Sequence, residues 1–111
     1  MSVNYYAFTS ETPEDEEGLH IGKHVAGKEF LFRAHRDLGL VRVEAWHEFL
    51  SKPGVVIRAE HGLEKAVEEL MSDATKRPAD AAAAGEGHLW PRRAVSFRAE
   101  RGVPFADYEF F

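Results

Sequence analysis

A chain of 111 residues is expected to fold as one domain, because so short a chain cannot bury two separate cores. Its formal net charge of −5 disfavours nucleic acid as a partner, and the absence of cysteine excludes disulfides and thiolate zinc sites. No apolar run approaches the roughly 20 residues that span a bilayer, and the N-terminus lacks the features of a signal peptide, so a cytoplasmic protein without a membrane partner is expected.

The chain begins with a predicted strand and an acidic loop. Residues 3–9 are rich in Tyr and Phe, which favours a short strand. Residues 10–18 hold Pro13 followed by four acidic residues, a composition typical of a solvated loop. The acidic run could alternatively contact a basic partner.

Residues 19–35 are predicted to form a β-hairpin with a two-residue turn at Ala26-Gly27, because glycine supplies the positive φ that such turns favour. This register places Gly22 opposite Leu31 and gives one apolar and one polar face. A register shifted by one residue would mix His24 with Phe30, so the hydrophobic pattern favours the first pairing. The core face comprises Leu19, Ile21, Val25, Phe30, Phe32 and Ala34, and the outer face comprises His20, His24, Glu29, Leu31, Arg33 and His35.

Helical and strand patterns alternate in the rest of the chain. Helical periodicity predicts amphipathic helices over residues 43–52 and 63–75, with a buried apolar strand over 55–57 between them. Residues 76–88, rich in alanine and glycine with Pro78, are expected to form a flexible loop. Two strands, over 94–98 and 103–110, complete the chain.

These elements predict an α+β fold in a single domain covering residues 1–111. Its sheet is expected to be mainly antiparallel around the central hairpin, with the two amphipathic helices packed on one face. Trp46 and Met71 are expected to fill the core rather than to bind a cofactor, and no cofactor is predicted.

The hairpin also carries a family resemblance. It contains Leu19-His20-Ile21-Gly22-Lys23, then Gly27 and the alternation Phe30-Leu31-Phe32. With the Trp46 helix, the turn at 60–62 and the closing segment Tyr108-Glu109-Phe110-Phe111, this order resembles a group of small uncharacterised proteins encoded by bacteriophages and prophages. The resemblance covers most of the chain with gaps, and it implies a phage or mobile-element accessory protein without implying a reaction.

One segment departs from that group. Many of its members carry a Cys-rich segment resembling zinc ligands just before the hairpin. Here residues 12–17 are Thr-Pro-Glu-Asp-Glu-Glu instead. The departure removes any thiolate metal site that the resemblance would imply.

Histidines are the candidate metal ligands. His20 and His24 are four residues apart on a strand, about 13 Å at about 3.3 Å per residue, which is too far to share one ion. His20 and His35 lie closer across the hairpin and could share a metal with an acidic residue, and His61 at a strand end is a third candidate. Alternatively, His24 pairs with Glu29 across the ladder and the other histidines are ordinary ring donors.

A protein-contact surface is the other interpretation of the hairpin. Its outer face would present mixed polar and apolar groups, and the basic-aromatic cluster at 90–93 would add a local positive patch. An ordinary loop anchored by Trp90 is the alternative for that cluster. The partner-binding candidates are His20, His24, Glu29, Arg33, His35, Trp90, Arg92 and Arg93.

The sequence therefore predicts a non-enzymatic phage or mobile-element accessory protein that binds a host or partner protein, with inhibition of a host defence or regulatory system as one form of that role. No catalytic residue is assigned. One alternative is a small metal-dependent hydrolase or nuclease that uses histidine and carboxylate groups. A second is a self-associating module whose terminal edge strand pairs into a homodimer.

Overall fold

The computed structural model describes residues 2–10, 18–25, 29–75, 90 and 92–110. The predicted hairpin turn at Ala26-Gly27 and most of the predicted loops at 10–18 and 76–88 lie outside these residues. The described strands are β1 (Ser2–Phe8), β2 (Leu19–Val25), β3 (Leu31–Arg33), β4 (Val56–Ala59), β5 (Glu64–Lys65), β6 (Phe97–Arg98) and β7 (Pro104–Ala106). The α-helices are α1 (Val43–Leu50) and α2 (Val67–Thr75), and 3₁₀ turns lie at Arg36–Leu38, Arg92–Ala94 and Glu100–Gly102.

The described strands form one mixed sheet in the order β5-β4-β1-β2-β3-β7-β6. Neighbouring strands are antiparallel, except that β3 and β7 run parallel. The prediction that the terminal strand is an exposed edge is wrong, because β7 lies between β3 and β6. The edges are instead β5 and β6, each two residues long, and such short edges offer little backbone for pairing with another chain.

The pairing of β2 with β3 differs by one residue from the predicted register. Gly22 lies opposite Phe32, and Lys23 lies opposite Leu31. The hydrophobic pattern favoured the other register because it treated β2 as a regular strand. In the structure β2 contains a bulge: Tyr5 of β1 pairs with Gly22 and Tyr6 pairs with His20, which leaves Ile21 as the extra residue.

The bulge decides which side chains reach the core. Gly22 and His24 lie on the side of Tyr5, while His20 lies with Tyr6 on the opposite side, which we call the outer side of the sheet. The ring of His24 is accordingly 6.3 Å from that of Phe30, so the predicted separation of these two residues is wrong. Leu31 is buried although it was predicted to be exposed, because the outer side is also covered at β3.

A glycine is required where the Phe30 ring packs against β2. A Cβ atom added to Gly22 would lie 2.4 Å from both the Leu31 carbonyl oxygen and Cε1 of Phe30. The absence of a side chain at Gly22 therefore allows the Phe30 ring to lie directly on the β2 backbone. This contact supports the observed register.

The second helix is shorter than predicted. Residues 63–65 do not begin α2; Glu64 and Lys65 form β5, which pairs with β4 through Ile57 opposite Lys65. Gly62, with φ of 94°, makes the tight turn between β4 and β5, and the amide of Ala59 donates to the Leu63 carbonyl. Leu63 is exposed as a result.

Aromatic rings dominate the core. Phe32 stacks against Phe105 with ring centroids 5.0 Å apart, and Trp46 of α1 lies next to Phe32. Trp46 also donates from Nε1 to the Arg33 carbonyl, which satisfies its polar group. The prediction that Trp46 and Met71 are core residues is confirmed.

The molecule is compact, with a Cα radius of gyration of 13.6 Å, close to the roughly 13 Å expected for a chain of this length. In the part of the chain that the structure describes, no helix is both long enough and apolar enough to cross a membrane.

The contact between Phe30 and Gly22 predicts a large effect of Gly22→Ala. The added methyl group would meet the Leu31 backbone and the Phe30 ring, and overpacking of this kind costs about 1–3 kcal/mol. Gly54→Ala is the comparison, since open space surrounds Gly54 and only its positive φ opposes a side chain, at about 1 kcal/mol. Urea unfolding measures both, and a smaller loss for Gly22→Ala than for Gly54→Ala would contradict the packing argument.

Candidate functional site

Three polar side chains are buried among the described residues: Asn4, His20 and Glu29. Two hydrogen bonds with Glu60 hold Asn4 in place. The backbone amide of Asn4 donates to Oε1 of Glu60 at 3.0 Å, and the backbone amide of Glu60 donates to the Asn4 carbonyl. Asn4 Oδ1 then accepts a 2.9 Å hydrogen bond from Nε2 of His20. Since an amide oxygen only accepts, Nε2 carries the proton of the neutral imidazole.

Burial lowers the pKa of His20 to about 4, and the positive charges of Arg33 and His35 act in the same direction. A backbone hydrogen bond at Gly22 opposes this shift without cancelling it. His20 is also covered by aromatic rings, with Tyr6 at 5.2 Å and Phe110 at 4.8 Å between centroids. His20 therefore stays neutral at physiological pH and is a structural group of the outer side.

A hydrogen bond to the His20 backbone holds the His35 ring in the same region. Its Nε2 donates to the His20 carbonyl at 2.8 Å, and its ring meets the edge of Trp46 at 5.8 Å. Burial lowers the pKa of His35 and the charge of Arg33 adds to this effect, while the hydrogen bond to the His20 carbonyl and the charge of Asp37 oppose it.

Glu29 is the centre of a second buried network. Its carboxylate accepts two hydrogen bonds from Arg98, at 2.9 and 3.0 Å, and a third from the Trp90 amide at 3.1 Å. The Trp90 indole donates to the Glu29 carbonyl, and Arg98 also donates to the Gly102 carbonyl. Glu29 thus joins three distant segments through charge-assisted bonds.

These contacts change the interpretation of the predicted partner-binding residues. His20 and Glu29 are buried within the chain, so neither is available to a partner in this fold. Glu29 pairs with Arg98 rather than with His24, so the predicted pairing across the ladder is wrong. Trp90 is half-buried and bound to Glu29, in line with its alternative role as a loop anchor.

The remaining candidates are dispersed. Arg93 is exposed, and a role in partner contact stays a prediction for it; the Arg92 side chain lies outside the description. His61 is exposed on the β4–β5 turn. Within the described ranges, no group of three or more histidine or acidic side chains is arranged to hold a metal ion.

A cleft between the two helices was missed at the sequence level. It has a volume of about 500 Å³ and is bounded by α1, α2 and the 3₁₀ turn at Glu100–Gly102. Carboxylates enter it from all three elements. The acidic lining residues are Glu44, Glu68 and Glu100, and the others are Val43, His47, Met71, Ser72 and Thr75.

The cleft has a hydrogen-bonded frame. His47 Nε2 and Glu68 Oε1 lie 3.0 Å apart and connect α1 with α2. Glu100 accepts from the amides of Val43 and Glu44, so it caps α1 from a distance of more than 50 residues in sequence, whereas the N-cap residue Arg42 makes no side-chain cap.

The ionisation of Glu100 follows from this capping role. Partial burial pushes the pKa of Glu100 upward, but the hydrogen bonds from backbone amides and the charge of Arg42 outweigh it. The net effect is a lowered pKa, so Glu100 stays negatively charged in the cleft at neutral pH. A sequence signal for the cleft existed in α2, where Glu68, Glu69 and Asp73 occur without a basic residue.

No family model, no curated protein and no solved structure matches this chain.

The low pKa of His20 predicts a loss of stability in mild acid. The unfolded chain protonates this imidazole near pH 6.5 and the folded chain only near pH 4, so the unfolded state binds more protons between these values. The free energy of unfolding should therefore fall as pH falls through this window, by at most about 3 kcal/mol from this group. Urea unfolding at several pH values should show a smaller slope for His20→Gln, while His61→Gln, which removes an exposed histidine, should keep the wild-type slope.

The Glu29 network predicts unequal effects of removing arginines. Arg98→Ala leaves the buried Glu29 carboxylate without its cation, which should cost about 3 kcal/mol in the free energy of unfolding. Arg58→Ala removes an exposed pair with Glu64 and should cost less than about 1 kcal/mol. In a double-mutant cycle with Glu29→Ala, additive losses would show that the two side chains do not interact as described.

Proposed function

We propose that this chain is a non-enzymatic protein-binding module, and that the cleft between α1 and α2 receives a basic segment of a partner protein. The observation that carries the proposal is the convergence of Glu44, Glu68 and Glu100 on one cleft. No lysine or arginine is among the described residues that line it. A Lys or Arg side chain is the complementary group for such a lining.

The existing ion pairs around the cleft are replaceable. Arg42 lies 3.1 Å from Glu44, and His47 lies 3.0 Å from Glu68; Arg42, Glu44 and Glu68 are largely exposed, and His47 is partly exposed. Exposed pairs of this kind contribute about 0–1 kcal/mol each. A partner cation can therefore take over Glu44 and Glu68 at small cost.

The lining also suits the stem of a long basic side chain. Val43 and Met71 supply apolar surface beside the carboxylates. Lys and Arg pack their methylene groups on apolar surface while their charged ends reach polar partners. The net charge of −5 adds long-range attraction for a basic partner, which raises the rate of encounter.

The proposal includes a biological context for binding in this cleft. A phage or mobile-element accessory protein, resembling the group described above, would use its own cleft to bind a host or partner protein in the cytoplasm. Inhibition of a host defence or regulatory system is the form of activity that such binding would take. In this proposal α1 and α2 pack on the same face of the sheet, which fixes the distance between their carboxylates.

A charge-matched pair of variants tests the cleft. The double variant Glu44→Gln with Glu68→Gln removes two lining carboxylates, and Glu48→Gln with Glu69→Gln removes two exposed carboxylates of the same helices outside the lining. Binding of a fluorescent peptide of alternating Lys and Ala is measured by anisotropy at low salt. We expect the first variant to bind about tenfold more weakly, which corresponds to about 1.4 kcal/mol, and the second to stay within about twofold of the wild type.

Two results would contradict the proposal. Equal weakening by both double variants would show general attraction by the net charge rather than a cleft. Unchanged binding in both would place any basic partner elsewhere. Circular dichroism of each variant checks that α1 and α2 are retained.

A further inference from the structure

We propose that Arg33 and His35 form a binding site for an oxyanion, a group of the carboxylate or phosphate type, on the outer side of β2 and β3 and beside the buried His20. The site shares no residue with the cleft between α1 and α2. It is therefore independent of the proposed function.

The state of the Arg33 guanidinium is the first observation. Arg33 is half-buried, and its Nε is fully shielded from solvent without an acceptor from the described residues within hydrogen-bond distance. A buried donor of a charged group that meets no acceptor lowers the stability of the fold. A bound anion would remove that cost, since the guanidinium presents its donors in a fork that matches two oxygens.

The other arginines show that this state is unusual in the described part of the chain. Only Arg33 combines a shielded donor with the lack of a carboxylate, because Arg93 is exposed to water. The described ion pairs of the remaining arginines are Arg36 with Asp107, Arg42 with Glu44, Arg58 with Glu64 and Arg98 with Glu29.

The neighbouring histidines are the second observation. The Nε2 atom of His35 donates to the His20 carbonyl, so Nδ1 is the ring atom left to face a ligand. Protonation of His35 converts Nδ1 into a second donor for the anion. The charge of Arg33 acts on both imidazoles and lowers their pKa, which shows that the three groups form one electrostatic cluster.

Among the residues that the structure describes, acidic side chains from neighbouring elements do not neutralise this cluster. Asp107 is held by Arg36 and Ser96, and Glu29 is held by Arg98. Asp37 acts on His35 but does not bond to Arg33, and Lys23 adds positive charge near His20. Within the described ranges, the remaining carboxylates of the surrounding segments are Glu60, which accepts from the Asn4 amide, and the exposed Glu109.

The site should bind more tightly in mild acid. A bound anion favours the charged forms of His35 and His20, so protons are taken up with the ligand. The lowered pKa of both histidines places this uptake below neutral pH. Sulfate and acetate keep their own charge from about pH 6 to about pH 8, so any pH dependence in this range belongs to the protein.

The test is a titration of the full chain followed by ¹H–¹⁵N NMR. Sodium sulfate and sodium acetate are the probes, and sodium chloride at matched ionic strength is the baseline. We expect the Arg33 Nε–H signal to shift saturably with at least one probe and not with chloride. Saturation by sulfate alone, or by acetate alone, supports the site and identifies a tetrahedral or a planar oxyanion.

Three variants complete the test. Arg33→Gln should abolish saturable binding, and Arg33→Lys, which keeps the charge without the fork, should weaken it by about tenfold. Arg93→Gln makes the same change of charge at an exposed arginine and should bind like the wild type. Binding by the wild type should be at least about threefold tighter near pH 6 than near pH 8.

The inference is overturned if both probes act like chloride on the wild-type chain, a result that does not depend on the folding of any variant. It is also overturned if Arg93→Gln weakens binding as much as Arg33→Gln. Because peptide binding in the cleft uses other residues and another probe, failure here would leave that proposal standing.

Discussion

The packing of the Phe30 ring on Gly22 is the contact on which the centre of the sheet depends. It requires a residue without a side chain at position 22 of β2. It also accompanies a pairing of β2 with β3 that differs by one residue from the register predicted for a regular strand. The bulge at Ile21 makes this register compatible with the core, because it keeps Ile21 and Gly22 on the same side of the sheet. Phe32 is then placed to stack on Phe105, which joins β3 to the parallel strand β7.

The same register determines which polar side chains lie on the outer side of the sheet and what they contact. His20 is turned away from the core and meets Asn4, while Glu29, on the side opposite Phe30, meets Arg98 and Trp90. Each buried polar group is joined to a segment distant in sequence, so the outer layer is held by hydrogen bonds and ion pairs where the inner layer is held by aromatic packing. Such a polar layer contributes stability only while its charges stay paired.

Much of the fold follows from sequence periodicity. The strand predicted over 3–9 from its Tyr and Phe content is observed over Ser2–Phe8. The helix beginning at Val43 and the burial of Trp46 are confirmed, because both depend on helical spacing. The register of the hairpin does not follow, since a bulge breaks the alternation and its position depends on contact with β1. The predicted start of α2 is wrong for a similar reason, because the pairing of β5 with β4 overrides the helical pattern at 63–65.

The candidate sites were less predictable than the fold. Glu29 and Arg98 are 69 residues apart, and nothing in a single sequence pairs them. The acidic character of α2 was visible, but the approach of Glu44 and Glu100 to Glu68 needed the tertiary arrangement. Long-range contacts set both the buried network and the cleft, whereas periodicity reports only which side of an element is apolar.

Glu29 and Arg33 show how the outer layer divides into two parts. They lie four residues apart on the same side of one extended segment, and both carry a charge that the fold removes from full contact with water. Glu29 receives Arg98 and becomes a structural centre, while the shielded Nε of Arg33 meets no acceptor from the described chain. An unmatched guanidinium lowers stability unless something else supplies the oxygen atoms. Among the described residues, the outer layer is therefore paired around Glu29 and lacks an acceptor at Nε of Arg33, and the proposed anion site rests on that difference.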